Sequence, residues 1–125
     1  MKKSLLSIFK NNSYTFFWDY RWFITIFVVA VICDAITTIH FMLKDGIEAE
    51  VHLIIKYISR FLGPVAGPVT GAVGKILGGI VVGIFLRRFA AYIFMTASII
   101  SFWAAWYNLW GYKIYKPILL DWIPW

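Results

Sequence analysis

The sequence predicts an all-α integral membrane protein with about three transmembrane helices, a short amphipathic helix and aromatic interfacial segments at its termini. Of its 125 residues, 62% are hydrophobic and 14% are charged, and the mean hydropathy is +0.77. Soluble domains carry about 25% charged residues, so this balance excludes an ordinary soluble domain. The apolar residues form long runs, and about 20 helical residues cross a bilayer core. We therefore expect one domain, residues 1–125, in the cell membrane as a multi-pass protein.

The first segment, residues 1–21, is expected to lie at the membrane interface. The aromatic run YTFFWDYRWF begins within it, and Trp and Tyr rings favour the headgroup level because they combine apolar and polar surface. A cleaved signal peptide is not predicted, because the apolar stretch SLLSIF is short and Lys10 interrupts it. A frayed polar tail is the alternative interpretation.

Three apolar runs predict the spanning helices, which cover residues 22–43, 64–86 and 89–111. The Lys and Arg residues lie mostly at the ends of these runs. This distribution is typical of contacts with lipid headgroups, so the net charge of +6 predicts lipid and no nucleic acid as a partner. With three spans, the balance of basic residues slightly favours an N-terminus on the inner side.

Between the first two runs, residues 47–62 predict an amphipathic helix. Apolar residues recur there at helical spacing, while His52, Lys56 and Arg60 share the opposite face. The Gly63-Pro64 pair is expected to end this helix, which is too short and too charged to span the membrane. It should lie on the surface or dip partway in. The last segment, residues 112–125, is predicted to be an interfacial tail.

The second spanning run contains a row of small residues at four-residue spacing. Such a row on a helix lets another backbone approach closely, so we predict a helix-packing interface at Gly63, Gly67, Gly71, Gly79 and Gly83. Gly74 and Gly78 are expected to widen the interface. A loosely packed or re-entrant segment is the alternative, because Pro64 and Pro68 lie in the same run.

Lys75 occupies the one position of this row that is not glycine. A charge in mid-membrane costs at least about 2.5–3.5 kcal/mol, so Lys75 requires a partner. Asp34 lies at comparable depth in the first span, and Thr37 and Thr38 share its helix face. We therefore predict an Asp34–Lys75 ion pair whose carboxylate accepts a hydrogen bond from Thr37 or Thr38. Locking two helices in register is the preferred role, and a proton or ion relay is the alternative.

A second cluster contains His40, Glu48, Glu50 and His52. Imidazole and carboxylate groups at the mouth of a helix pair are suited to a divalent metal such as zinc, copper or iron. The spacing matches no standard metal motif. A solvated acidic loop facing the positive end of a helix dipole is the alternative interpretation.

The run DAITTIHFMLKDGIEAE resembles a family of small prokaryotic membrane proteins of uncharacterised function. That family carries Asp-x-x-Thr-Thr in its first span, matched here by Asp34, Thr37 and Thr38, followed by Gly46 and Glu48. The chain is also similar, in its size and Trp-rich spans, to accessory subunits of archaeal ammonia monooxygenase. Neither resemblance implies catalytic residues.

The sequence contains no HExxH, P-loop or dinucleotide-binding motif, and catalysis by this chain alone is not expected. The leading hypothesis is an accessory subunit that packs against other integral membrane subunits, in an assembly such as a membrane oxidoreductase, for example a copper monooxygenase. The alternative is a small homo-oligomeric carrier of ions, protons or metal that uses Asp34, Lys75 and the His40–His52 cluster.

Overall fold

The computed structural model describes residues 4–47 and 53–111. Within this part, no strand occurs and five α-helices follow one another: α1 Leu5–Ser13, α2 Phe16–Asp19, α3 Arg21–Asp45, α4 Leu53–Phe85 and α5 Ala90–Trp106. Three stretches are long and apolar enough to cross a membrane: Arg21–Lys44, Leu53–Phe85 and Arg87–Leu109. The predicted all-α, multi-pass membrane fold is confirmed. The predicted tail at residues 112–125 lies outside the described residues.

Helices α3, α4 and α5 form the body of the protein. Helix α3 packs most extensively against α5 and next against α4. A 3₁₀ turn, Arg87–Phe89, connects α4 with α5. After Trp106 the last helix continues as a π-helix, Tyr107–Gly111. The two short helices α1 and α2 precede the first span and contact the end of the bundle where α4 joins α5.

Helix α4 reverses its direction at Gly63, where φ is 96° and ψ is 173°. Residues eight positions apart in a continuous helix are separated by about 12 Å. Here a β-carbon added at Gly67 would lie 2.6 Å from the Cα of Ser59, and one added at Gly71 would meet the end of the Ile55 side chain. The chain therefore folds back, and residues 53–62 (the short arm) pack antiparallel to residues 64–85 (the long arm).

The long arm alone is long enough to span a bilayer, since 22 residues rise about 33 Å. The short arm ends at Gly63, as the sequence predicts. Ile55 and Ser59 of the short arm are buried against the long arm. The place of this helix, on the membrane surface or partway in, stays a prediction. Gly63 permits the reversal because its positive φ is unfavourable for residues with a side chain, and Pro64 then suits the first turn of the next helix.

The glycine row of the long arm lies against three different parts of the molecule. Gly67 and Gly71 face the short arm. Gly79 faces α3, where an added β-carbon would lie 2.7 Å from the ring of Phe27. At Gly83, an added β-carbon would lie 2.8 Å from the ring of Phe94 and 3.3 Å from the ring of Phe16. These four glycines therefore lie at close helix contacts.

Three glycines do not lie at the close helix contacts that the sequence predicts for them. A β-carbon at Gly63 would meet nothing within 4 Å, so this residue forms the reversal and not the packed row. Gly74 and Gly78 also have open space around them and are exposed. They do not widen the packed interface, because their positions in the helical repeat direct them away from α3 and the short arm.

One half of the bundle has an apolar core made largely of aromatic rings. Its buried members are Phe16, Phe27, Val31, Ile84, Ala90 and Phe94. The Phe27 and Phe94 ring centroids are 5.4 Å apart, and the Phe16 and Phe94 centroids are 6.2 Å apart. Offset ring packing of this kind stabilises a core beyond the area that it buries. Phe16 belongs to α2, so part of the segment predicted to be interfacial contributes to this core.

Arg87 connects the N-terminal segment to the turn between α4 and α5. Its guanidinium donates hydrogen bonds to the backbone oxygens of Asn12 and Tyr14, and it forms an ion pair with Asp19. Tyr20 donates to the backbone oxygen of Arg87 at 2.9 Å. This arrangement holds α1 and α2 against the end of the bundle.

Candidate functional site

Asp34 and Lys75 form an ion pair between α3 and the long arm. The Lys75 Nζ donates a hydrogen bond to Asp34 Oδ2 at 2.8 Å. The Asp34 side chain is 10% exposed and that of Lys75 is 39% exposed. Both residues lie within apolar spans, where an unpaired charge would be costly. The structure thus brings together the two charges that the sequence analysis paired, with Lys75 only partly enclosed.

The two threonines after Asp34 make different contacts. Thr38 donates to Asp34 Oδ1 at 3.4 Å, so the carboxylate has a partner on each oxygen. Thr37 donates instead to the backbone oxygen of Asp34 at 3.0 Å. Of the two threonines proposed from the sequence, Thr38 is the one that contacts the carboxylate.

Asn108 joins the third spanning helix to this network. Its Nδ2 donates to Thr38 Oγ1 at 2.9 Å and to Thr37 Oγ1 at 3.2 Å. Asn108 is not among the site residues that the sequence predicts. The one signal in the sequence is an amide side chain near the end of an otherwise apolar run. Because Asn108 follows Thr38 by 70 positions, no local sequence pattern relates the two residues. The network therefore spans α3, α4 and the π-helical continuation of α5.

A cavity of about 350 Å³ adjoins the ion pair between the three spans. Its wall includes apolar residues from α3 and α5, and Ile55 from the short arm. Asp34, Thr38, Lys75 and Asn108 also line it, together with Ser101 and Tyr107. Clefts of this size that are mainly apolar with a few polar groups are typical of small-molecule sites.

Polar side chains continue from the ion pair in one direction only. Thr38 and Asn108 extend towards the ends of α3 and α5. In the opposite direction, the buried cluster around Phe27 and Phe94 is apolar. Ser98 lies in this region of α5, but its hydroxyl donates to the backbone oxygen of Phe94 within the same helix. No polar path across the whole membrane is present among the described residues.

Most of the predicted metal cluster cannot be placed. Glu48, Glu50 and His52 lie outside the described residues, and His40 is an exposed side chain on α3. In residues 4–47 and 53–111, no three His, Cys, Asp or Glu side chains converge in a way that suits a metal ion. The metal site therefore stays a prediction.

Comparisons with protein-family models, with curated proteins and with solved structures found no match for this chain. Its candidate site is consequently defined by its own residues. These are the Asp34–Lys75 pair, the Thr38–Asn108 connection and the adjoining cavity.

Proposed function

We propose that this chain is an accessory subunit of a larger membrane assembly, and that it joins its partners through the outward face of α4. The observation that carries the proposal is a row of exposed small residues on the long arm, Ala66, Thr70, Gly74 and Gly78 (the small-residue face). Close approach of backbones at such residues drives helix association in lipid, where apolar side chains gain nothing by leaving the bilayer.

Nothing in the described part of the chain covers the two glycines of this face. A β-carbon at Gly74 or Gly78 would meet no atom within 4 Å. The hydroxyl of Thr70 donates to the backbone oxygen of Ala66 at 2.8 Å, so it needs no other acceptor. The face thus presents small side chains to a helix from another subunit, and its one hydroxyl group already has a hydrogen-bond acceptor in the same helix. The rest of the spans contact lipid.

We assign a structural role to the ion pair within this function. Each carboxylate oxygen of Asp34 already has a partner, and Asn108 ties the same network to the third span. A relay would require polar groups on both sides of the pair, whereas the half around Phe27 and Phe94 is apolar. The pair is therefore suited to holding α3 and α4 in one register, with α5 attached.

Two narrower parts of the hypothesis stay predictions. One is the nature of the assembly, for which a membrane oxidoreductase such as a copper monooxygenase is the hypothesis. The other is location in the cell membrane, with no nucleic acid as partner. The small-residue face supports an assembly of helices.

Native mass spectrometry of the protein extracted from its host membrane in mild detergent tests this function. We expect the wild-type chain to be found with different membrane subunits in fixed stoichiometry. Gly78→Leu should abolish that association, because its side chain occupies the space meant for a partner backbone. Val73→Leu, an exposed change on another line of the same helix, should leave the association intact.

Three other outcomes would contradict the proposal. Identical copies with bound metal would favour the homo-oligomeric carrier. A monomer with no partner in any preparation would remove the accessory role. Equal association of wild type and Gly78→Leu, with unchanged helical circular dichroism, would show that partners bind elsewhere.

A further inference from the structure

The cavity beside the ion pair contains hydrogen-bond donors that the protein itself does not use. Ser101 and Tyr107 line it and are only 7% and 8% exposed. In the described part of the chain, neither hydroxyl has a hydrogen-bond partner, so both are available to a molecule in the cavity. Lys75 has three N–H donors, and its hydrogen bond to Asp34 uses one of them.

The carboxylate of Asp34, in contrast, already has partners within the protein. Both carboxylate oxygens of Asp34 accept hydrogen bonds, from Lys75 and from Thr38. Lys75 keeps two further N–H groups and has no acceptor atom, so a ligand that pairs with it must bring acceptor oxygens. A ligand without acceptors would leave these N–H groups unpaired.

The charge of the site limits the ligand further. Lys75 and Asp34 neutralise each other, and among residues 4–47 and 53–111 no other charged side chain lines the cavity. A free carboxylate or phosphate would enter this low-dielectric space without a net counter-charge, which is costly. A neutral acceptor such as a carbonyl oxygen carries no such cost. The walls, which include Phe27, Phe41 and Trp103, suit an apolar and partly aromatic body.

We propose that this cavity binds a neutral apolar molecule bearing carbonyl oxygens, which accept hydrogen bonds from Ser101, Tyr107 and Lys75. The volume of about 350 Å³ lies within the range of roughly 300–1,000 Å³ found for small-molecule sites. Lys75, with 39% of its side chain exposed, marks a side of the cavity that is open towards the surface of the bundle. An apolar ligand therefore enters from the bilayer.

Two classes of membrane molecule share this chemistry, a ring-carbonyl compound such as a quinone and an acyl ester such as a diacylglycerol. Decylubiquinone and dioctanoylglycerol are suitable probes for the two classes. Decylbenzene provides an apolar body without an acceptor, and palmitate provides an anion. Each is titrated into the purified full-length protein in detergent, with the dissociation constant measured by equilibrium dialysis and the thermal shift followed in parallel.

We expect one of the carbonyl probes to bind at least about ten-fold more tightly than decylbenzene. Ser101→Ala and Tyr107→Phe should each weaken that binding by about two- to ten-fold, the usual effect of one hydrogen bond. Ala104→Leu, which adds volume at the cavity wall, should remove it. Ser98→Ala is the matched control, since this buried serine lies on the same helix outside the cavity and donates to its own backbone.

The outcomes separate the alternatives. Preference for the quinone or for the glyceride identifies the source of the carbonyl and supports the proposal in either case. Tighter binding of palmitate would overturn the neutral-ligand inference. Loss of binding in Ser98→Ala equal to that in Ser101→Ala, or full binding by a folded Ala104→Leu protein, would place the ligand elsewhere. Failure of both carbonyl probes to exceed decylbenzene would also overturn it.

Discussion

The two halves of the bundle are built from the same three helices but are held together differently. In the half that contains Phe16, Phe27 and Phe94 (the aromatic half), rings fill the space between helices and contact Gly79 and Gly83 directly. In the half that contains Asp34, Lys75 and Asn108 (the polar half), a few hydrogen bonds cross an incompletely filled space. Dense packing thus holds the helices together in the aromatic half, and a polar network beside a cavity holds them together in the polar half.

The difference indicates how stability and binding are divided within a small membrane protein. Lipid tails are as apolar as the helix surfaces, so tight packing and hydrogen bonds drive association of the spans. A fully packed half secures the arrangement of the helices. The other half can then keep an open space beside a polar network, which is what a binding site requires.

Loss of the ion pair in the polar half is expected to reduce the stability of the protein most. Lys75→Met and Asp34→Asn should each destabilise the protein by about 3 kcal/mol, because the remaining charge or polar group loses its partner. The double variant should recover much of that loss, since removing both partners is often nearly neutral. Unfolding in detergent, analysed as a double-mutant cycle, measures the coupling. Additive losses would contradict the role of the pair as a lock.

Removing one ring from the aromatic half is expected to destabilise the protein somewhat less. Phe94→Ala removes a fully buried ring and should cost on the order of 2–3 kcal/mol. This is below the roughly 3–5 kcal/mol typical of soluble cores, because transfer from water does not contribute in lipid. Phe102→Ala on the same helix is the control, since its ring is 42% exposed. Similar losses of unfolding free energy at both positions would mean that the aromatic half is not specially packed.

Substitutions in the glycine row are expected to change the free energy of unfolding least, and the sign of the change should differ between Gly83 and Gly71. Gly83→Ala should destabilise by about 1–3 kcal/mol, because its β-carbon would lie 2.8 Å from the Phe94 ring, which is held by neighbouring rings. Gly71→Ala would meet only the flexible end of Ile55, beside the cavity. It should be neutral, or stabilising by up to about 0.5–1 kcal/mol through helix propensity.

Gly74→Ala gives the baseline for this comparison, since nothing surrounds that position. Thermal unfolding of the three variants in one detergent measures the differences. A loss at Gly71 as large as that at Gly83 would show that the polar half is packed as rigidly as the aromatic half.

Part of this organisation was predictable from the sequence because it depends on local chemistry. Apolar runs of sufficient length identify the spans wherever they lie in the chain. The Asp34–Lys75 pair could be predicted because a charge in lipid requires a partner and the spans offer few. The four-residue glycine row indicated close contacts at Gly67, Gly71, Gly79 and Gly83, and the structure places each of them against another part of the protein.

Only the tertiary structure decided the rest. A Gly-Pro pair ends a helix but carries no information on the direction of the next one, so the reversal at Gly63 and the burial of Ile55 depend on packing with the long arm. Asn108 meets Thr38 because two spans distant in sequence come together. The cavity is the space that three helices leave between them once rings have fixed the opposite half, and no single segment of sequence encodes it.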